Sequence, residues 1–285
     1  MIAEHLKYKQ TGIEWIPQVP EHWRLWKVSR AFKTIGSGTT PESGNSSFYE
    51  DGTINWINTG DLNDGVLESC EKRITQKAFV EHSTLKIYTK GTLLIAMYGA
   101  TIGKVALMNI EGCTNQACCA LSESEVLLNE FAFYWFVCNK QNIVRLSYGG
   151  GQPNISQDVI KQLRIPTPPK EEQDEIVQHI KAQEDKINQF IQKKKRFIEL
   201  LKEQRQSIIT NAITKGVDVN VKLKQSGVEW LGDVPENWEV RRMQYLAKIK
   251  NGIDCEKQFE GTYPVYGSGG IFGWTENYLY DKPSV

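Results

Sequence analysis

The 285-residue sequence has no surplus of either charge, 34 Lys and Arg being matched by 34 Asp and Glu. A nucleic-acid binder normally recruits phosphates with excess cations, so any grip on phosphate must come from local clustering or from a partner. The balance is even along the chain: residues 1–169 carry 16 basic and 16 acidic side chains, 170–215 carry 10 and 8, and 216–285 carry 8 and 10. Cysteine and histidine are too sparse and too scattered for a zinc framework. The six cysteines (Cys70, Cys113, Cys118, Cys119, Cys138, Cys255) contain no Cys-x-x-Cys spacing, and there are four histidines; free thiols in a reducing cytosol are the expectation. Long apolar runs are missing too. Leu93 to Tyr98 is far too short to span a bilayer, and Met1-Ile-Ala-Glu-His-Leu-Lys7 has no signal-peptide core. A cytoplasmic protein without a membrane partner is expected.

Catalytic motifs are equally scarce. There is no Gly-x-x-x-x-Gly-Lys-Ser/Thr phosphate loop, and Gly149-Gly-Gly151 runs into Gln152-Pro153, which cannot open a helix over a phosphate. The Asn-Pro-Pro-aromatic signature of amino-methyltransferases is absent; Thr167-Pro-Pro-Lys170 resembles it only superficially. No Ser/His/Asp order stands out. Glu171 and Glu172 sit where a helix first turn favours acids. These absences predict a non-enzymatic binder with no cofactor and no metal.

What is present is a repeat. Lys7-Tyr-Lys-Gln-Thr-Gly-Ile-Glu-Trp-Ile-Pro-Gln-Val-Pro-Glu-His-Trp23 returns 215 residues later as Lys222-Leu-Lys-Gln-Ser-Gly-Val-Glu-Trp-Leu-Gly-Asp-Val-Pro-Glu-Asn-Trp238, with ten of 17 positions identical. A period of that size means duplicated domains rather than a solenoid. A Trp- and Pro-containing opening most often anchors a turn by packing, and direct ligand contact is the other reading. Three parts are expected: a domain over 1–169, a long helix over 170–215, and a second, incomplete domain over 216–285.

Residues 24–169 read as mixed α/β, an α+β fold. Dense turn signals (Gly36-Ser-Gly-Thr-Thr-Pro41, Glu50-Asp-Gly52, Asn63-Asp-Gly65, Tyr148-Gly-Gly-Gly151) separate strand-like runs at 54–57, 93–98 and 105–108. Leu128 to Leu146 has Phe131, Tyr134, Trp135 and Cys138 at helical spacing, and Pro166-Thr-Pro-Pro169 is expected to stop the domain. Beyond it, no Gly or Pro interrupts Lys170 to Thr214, and Gly216 is a natural stop. Heptad phasing places Val177, Glu184, Ile191, Ile198, Arg205 and Ala212 at a, and Ile180, Ile187, Lys194, Leu201 and Ile208 at d, eight of the eleven positions being apolar. This is a coiled-coil seam seeking a helical partner. The Lys193–Arg196 cluster suits either phosphates or a solvated face.

Base edges are read by Arg, Lys, Asn, Gln, Ser and Thr on loops, with aromatics packing on sugars or methyl groups. Three segments are rich in these types: Thr39, Thr40, Asn45 and Ser47; then Tyr98 and Lys104 with Asn115 and Gln116; and Tyr148, Gln152 and Asn154. Lys104, with two nearby glycines (Gly99 and Gly103) that permit close backbone approach, is the best phosphate candidate.

In order, Gly36-Ser-Gly-Thr-Thr-Pro41, Ile54-Asn-Trp-Ile57, Thr59-Gly-Asp-Leu62, Gly91-Thr-Leu-Leu-Ile-Ala96, Gly99-Ala-Thr-Ile-Gly-Lys104 and Asn115-Gln116 resemble a target-recognition domain of a type I restriction-modification specificity (S) subunit. Asn154-Ile-Ser156, Ile165-Pro-Thr-Pro-Pro169 and Glu171-Glu-Gln-Asp-Glu-Ile176 resemble that family's passage into its coiled coil, and Tyr263-Pro-Val-Tyr-Gly-Ser-Gly-Gly-Ile-Phe-Gly273 another domain opening. The resemblance covers essentially the whole chain. It implies two recognition domains held apart by antiparallel helices, each reading half of a bipartite site on double-stranded DNA. Adenine-N6 methyltransferase (M) subunits and motor-nuclease restriction (R) subunits are the implied partners. The second copy breaks off early against that pattern, so pairing of the long helix with a second copy of the chain, as a homodimer, is also expected. The rival readings are a coiled-coil protein–protein adaptor without DNA readout, and a hydrolase with an unfamiliar site.

Overall fold

The computed structural model describes residues 7–147, 154–248 and 261–278, and the chain divides into two compact units, to Lys193 and from Lys194. The first opens with an antiparallel hairpin, β1 (Tyr8–Ile13) and β2 (Ile16–Pro20), whose bulged turn carries Gly12 at φ +72°. The remaining elements follow in order: β3 (Arg24–Lys27), α1 (Val28–Ala31), β4 (Thr34–Gly36), β5 (Ile54–Ile57), β6 (Gly65–Leu67), β7 (Arg73–Ile74) and α2 (Gln76–Glu81). Then come β8 (Leu93–Ala96), β9 (Val105–Met108), β10 (Cys113–Thr114), β11 (Cys118–Ser122), α3 (Asn129–Val144), α4 (Gln157–Gln162), β12 (Arg164–Thr167) and α5 (Lys170–Lys215).

The main sheet has the order β4-β11-β8-β9-β6, antiparallel except for the parallel β6/β9 edge. Its central strands read as continuous apolar runs because both faces are covered. Alternate residues Leu93, Ile95, Val105, Cys119 and Leu121 pack with Phe131, Trp135, Phe136 and Ile143 of α3. The intervening Leu94, Ala96, Ala106, Cys118 and Ala120 pack with Ile57, Leu62, Leu67 and Tyr88. A smaller sheet, β10-β5-β7, lies over its own cluster of Phe48, Trp56, Ile74 and Leu85. The mixed α/β expectation for this region, and the helix between residues 128 and 146, match the observed elements.

Two features differ from the sequence expectation. The proline-rich segment is not a bare stop: Pro166 and Thr167 lie in β12, which pairs antiparallel with β3 (Ile165↔Trp26, Pro166↔Leu25), and a two-stranded ribbon tolerates the missing N–H. The coiled-coil seam does not begin at Val177, which is fully buried in the core of the first unit. One turn earlier Gln173 is also fully buried. Its carbonyl accepts from Leu128 N–H at 2.8 Å, and its amide donates to the Val126 and Pro168 carbonyls at 2.9 and 2.8 Å. The Trp23 and His22 rings contact Glu172 at 3.0 and 2.9 Å, Lys181 pairs with Glu130 at 2.7 Å, and the Tyr134 hydroxyl donates to Glu184 at 2.7 Å. The first four turns of α5 are therefore built into the head. From residue 182 to 211 every helical residue is exposed, including Ile187, Ile191, Ile198, Leu201 and Ile208; Ile180 and Ala212 are half-buried.

The second unit repeats the opening hairpin. β13 (Leu223–Gln225) and β14 (Asp233–Pro235) pair Leu223↔Pro235 and Lys224↔Val234, as Tyr8↔Pro20 and Lys9↔Val19 do in the first. Lys224 Nζ donates to the Glu236 carbonyl at 2.6 Å where Lys9 Nζ donates to that of Glu21 at 2.7 Å. Gly227 has φ +76° where Gly12 has +72°, a left-handed turn only glycine adopts without cost. A further hairpin, β15 (Tyr263–Gly267) with β16 (Gly270–Thr275), follows.

Candidate nucleic-acid interface

The loop after β4 is locked from four directions. Gly38 N–H donates to Thr114 Oγ1 at 3.0 Å, Trp56 Nε1 donates to the Thr39 carbonyl at 3.1 Å, and the Tyr49 hydroxyl donates to the Pro41 carbonyl at 2.5 Å. The fourth tie is Thr40 Oγ1 to Gln116 Oε1 at 2.6 Å. Gln116 also lies beside the Tyr98 phenol, whose pKa is raised chiefly by burial and next by Cys118, against the lowering effect of Gln116. Tyr98 in turn bridges Asn154 through its backbone. Beside them Asn115 Nδ2 donates to Asn58 Oδ1 at 3.0 Å, while Asn115 Oδ1 accepts from Ala117 N–H at 3.0 Å.

Six residues singled out in three separate segments thus converge: Thr39, Thr40, Tyr98, Asn115, Gln116 and Asn154. Thr40, Gln116 and Asn154 are exposed. Lys104 belongs to the tight β8–β9 connection, its N–H donating to the Thr101 carbonyl at 2.9 Å and its carbonyl accepting from Ala96 N–H at 2.8 Å. Asn45 and Ser47 form their own hydrogen-bonded group. Asn45 Oδ1 caps the 46–48 turn by accepting from Ser47 N–H at 3.2 Å and Ser47 Oγ at 2.7 Å, and Lys77 Nζ donates to Ser47 Oγ at 3.1 Å. Tyr148 and Gln152 lie outside the described residues.

Sequence reasoning did not single out Asn58, Trp56 or Thr114, which hold the loops in place. Asn58 is itself fixed, its N–H donating to Asp61 Oδ2 at 2.8 Å and its amide to the Trp56 carbonyl at 3.0 Å; the Thr59-Gly-Asp-Leu62 motif was the available signal. The arrangement offers amide, hydroxyl and phenol groups in fixed orientations on an exposed surface. It suits hydrogen-bond recognition of an extended ligand. No group of His, Cys, Asp and Glu suited to a metal occurs among the described residues, and no described helix is long and apolar enough to cross a membrane.

Comparison with known proteins gives a consistent result. The chain is 26% identical over 260 residues to the type I restriction enzyme MjaIX specificity subunit of Methanocaldococcus jannaschii, covering 88% of this chain and 57% of that one. It is 25% identical over 214 residues to the EcoR124I/EcoR124II specificity subunit of Escherichia coli, covering 73% and 47%. The chain therefore spans about half the length of the curated relatives it matches. Its fold resembles the HsdS subunit from Thermoanaerobacter tengcongensis, with TM-score 0.51 and 21% identity over 72% of this chain and 47% of that one. It also resembles a chain from a structural study of assembly and conformational transition of the type I R-M system, with TM-score 0.55 and 20% identity over 72% and 48%. Residues 20–200 match the family described as type I restriction modification DNA specificity domain, and the chain belongs to that family.

Proposed function

We propose that this chain is the non-catalytic DNA-reading specificity component of a type I restriction-modification complex, its first unit reading one half of a bipartite target. The observation that carries the reading is the convergence of Thr40, Tyr98, Gln116 and Asn154, drawn from segments far apart in sequence, onto one hydrogen-bonded surface. Thr40 occupies Gln116 Oε1 and so orients the amide, leaving groups of known polarity to meet base edges in the major groove. Lys104 supplies a phosphate contact at its margin. M subunits supply methyl transfer, R subunits supply translocation and cleavage, and the complex acts on cytoplasmic DNA.

The exposed face of α5 supports a helical partner. Residues 170–192 carry six carboxylates and three cations, whereas 193–215 carry two carboxylates and seven cations. An antiparallel second copy sets opposite charges against each other along Ile187, Ile191, Ile198, Leu201 and Ile208, and a parallel one sets like against like. A homodimer built this way presents two identical readers and suits a palindromic bipartite site. The repeated hairpin at 223–235 supports the reading of residues 216–285 as the opening of a second recognition domain. A protein–protein adaptor is the second reading, favoured by the zero net charge.

Co-expression with an M subunit followed by methylome sequencing tests the proposal. A discrete bipartite methylated motif is expected. Gln116→Ala should relax it at one position, a discrimination of about 1–3 kcal/mol per bidentate contact. Motifs identical in both proteins would remove Gln116 from base reading, and no methylated motif at all would favour the adaptor.

A further inference from the structure

A second surface of the first unit lies among β1, β3, α1 and β12, elements distinct from the loops discussed above. It is a groove of about 550 Å³ lined by Lys9, Arg24, Trp26, Lys27, Arg30 and Arg164, with no carboxylate among its lining residues. In the β3/β12 register Lys27 lies directly opposite Arg164, a cross-strand pairing of like charges that weakens a sheet. Among the described residues the two lysines bond only to neutral groups: Lys27 Nζ donates to Gln162 Oε1 at 2.8 Å and Lys9 Nζ to the Glu21 carbonyl at 2.7 Å. The guanidinium groups of Arg24, Arg30 and Arg164 have no hydrogen bond or ion pair among the described residues. Three cations elsewhere in the same unit are each paired with a carboxylate, Lys33–Glu125 at 2.6 Å, Lys140–Asp64 at 2.8 Å and Lys181–Glu130 at 2.7 Å, whereas the groove gathers five cations with no carboxylate in its lining.

The repeat provides an internal control. One residue past the matched segments, Arg24 corresponds to Glu239, and Glu239 pairs with Arg241 at 2.5 Å. The hairpin motif therefore does not itself require an unneutralised cation there.

We propose that this groove holds the phosphodiester backbone of duplex DNA, an inference that rests on the DNA-reading proposal and adds a contact surface to it. Five cations facing a concave surface repel one another, and a bound polyanion converts that cost into affinity. Concave walls of low dielectric focus the potential, and arginine forks engage phosphate oxygens in pairs. Cations spread over three strands and a helix match an extended backbone better than a single small anion. The groove also answers the charge question: a chain of zero net charge grips phosphate through one cluster from which acids are excluded.

The test uses the full chain and fluorescence anisotropy on random and target-containing duplexes between 50 and 200 mM salt, a range in which a handful of phosphate contacts is readily seen. The Arg24→Gln/Arg30→Gln/Arg164→Gln variant should lose about 3 from the slope of log affinity against log salt. Its affinity for both duplexes should fall by the same factor, roughly 10- to 100-fold at low salt. The triple Arg→Lys variant should keep the slope. Relief of repulsion means the glutamine variant should melt no lower than the parent; if it does, Arg24→Gln alone, losing about 1 from the slope, carries the test. An unchanged slope in a glutamine variant would overturn the groove and leave the reader intact. Loss of M-subunit binding with the DNA slope preserved would make it a protein contact and also overturn it. Absence of any salt-sensitive binding by the unsubstituted chain would overturn the reader and the groove together.

Discussion

A Cβ placed on Gly38 would lie 1.7 Å from the Thr114 carbonyl oxygen, so the loop after β4 can approach β10 only with glycine there. The same closeness lets Gly38 N–H reach Thr114 Oγ1 and brings Thr40 to Gln116, 76 residues away in sequence. Gly38→Ala should cost about 1–3 kcal/mol by overpacking and erase the methylated motif by displacing Thr40. Gly44→Ala, whose Cβ would meet nothing within 4 Å, should leave the melting temperature and the methylome unchanged. Equal behaviour of the two variants would show that loop position does not matter to reading. At this scale the residue types suited to base contact were legible, because function demands amides and hydroxyls on loops. Their supports, Asn58, Trp56 and Thr114, were not, since a residue that orients another is defined by a neighbour distant in sequence.

Among the elements, α5 was the most legible and the most instructive. Forty-five residues without Gly or Pro and an apolar heptad sufficed to specify a helix, and the observed span of 46 residues corresponds to about 69 Å. Where its apolar face goes was not legible throughout. Val177 obeys the same heptad as Ile198, yet one side chain is wholly buried in the head and the other is 53% exposed. The difference lies in what the fold sets beside each turn, above all the 124–128 segment and α3 against the first four turns. The exposed seam carries a clear expectation. In sedimentation the chain should run as a dimer, and Ile191→Ser/Ile198→Ser/Leu201→Ser should run as a monomer with the head's melting temperature unchanged. A monomeric parent chain would rule out self-pairing through α5.

At the scale of the whole molecule, none of the cysteines among the described residues is paired in a disulfide, and three of them are buried. Cys113, Cys118 and Cys119 are fully buried, whereas Cys138 is exposed. Burial pushes the thiols of Cys113 and Cys119 to about 12 from an ordinary value of 9.0, and raises that of Cys118 as well. The unfolded chain therefore releases these protons near pH 9 while the folded chain keeps them to about pH 12. With fewer protons on the unfolded state, stability falls as pH rises through that window. Tyr88, raised by burial from 10.0 to about 12, acts in the same sense. The urea midpoint should accordingly drop between pH 8 and about pH 10.5, and drop less in Cys113→Ala/Cys119→Ala. At pH 8 a maleimide should label Cys138 and spare Cys113, Cys118 and Cys119, as read by peptide mass mapping. Equal slopes in parent and variant would remove the thiols as the cause.

Local rules specified much of this protein from its sequence. A repeat matched at two tryptophans gave two hairpins of the same register, since turn geometry and a left-handed glycine are properties of short segments. Uninterrupted helix formers gave α5, and continuous apolar runs gave strands covered on both faces. Tertiary structure alone decided which α5 residues join the head, which polar side chains meet around Gln116, and that Lys9, Arg24, Lys27, Arg30 and Arg164 share one acid-free groove. Each depends on strand pairing or packing between residues far apart in the chain. Net charge and periodicity sum over sequence, whereas a binding surface depends on which charges and dipoles the fold brings within a few ångströms of one another.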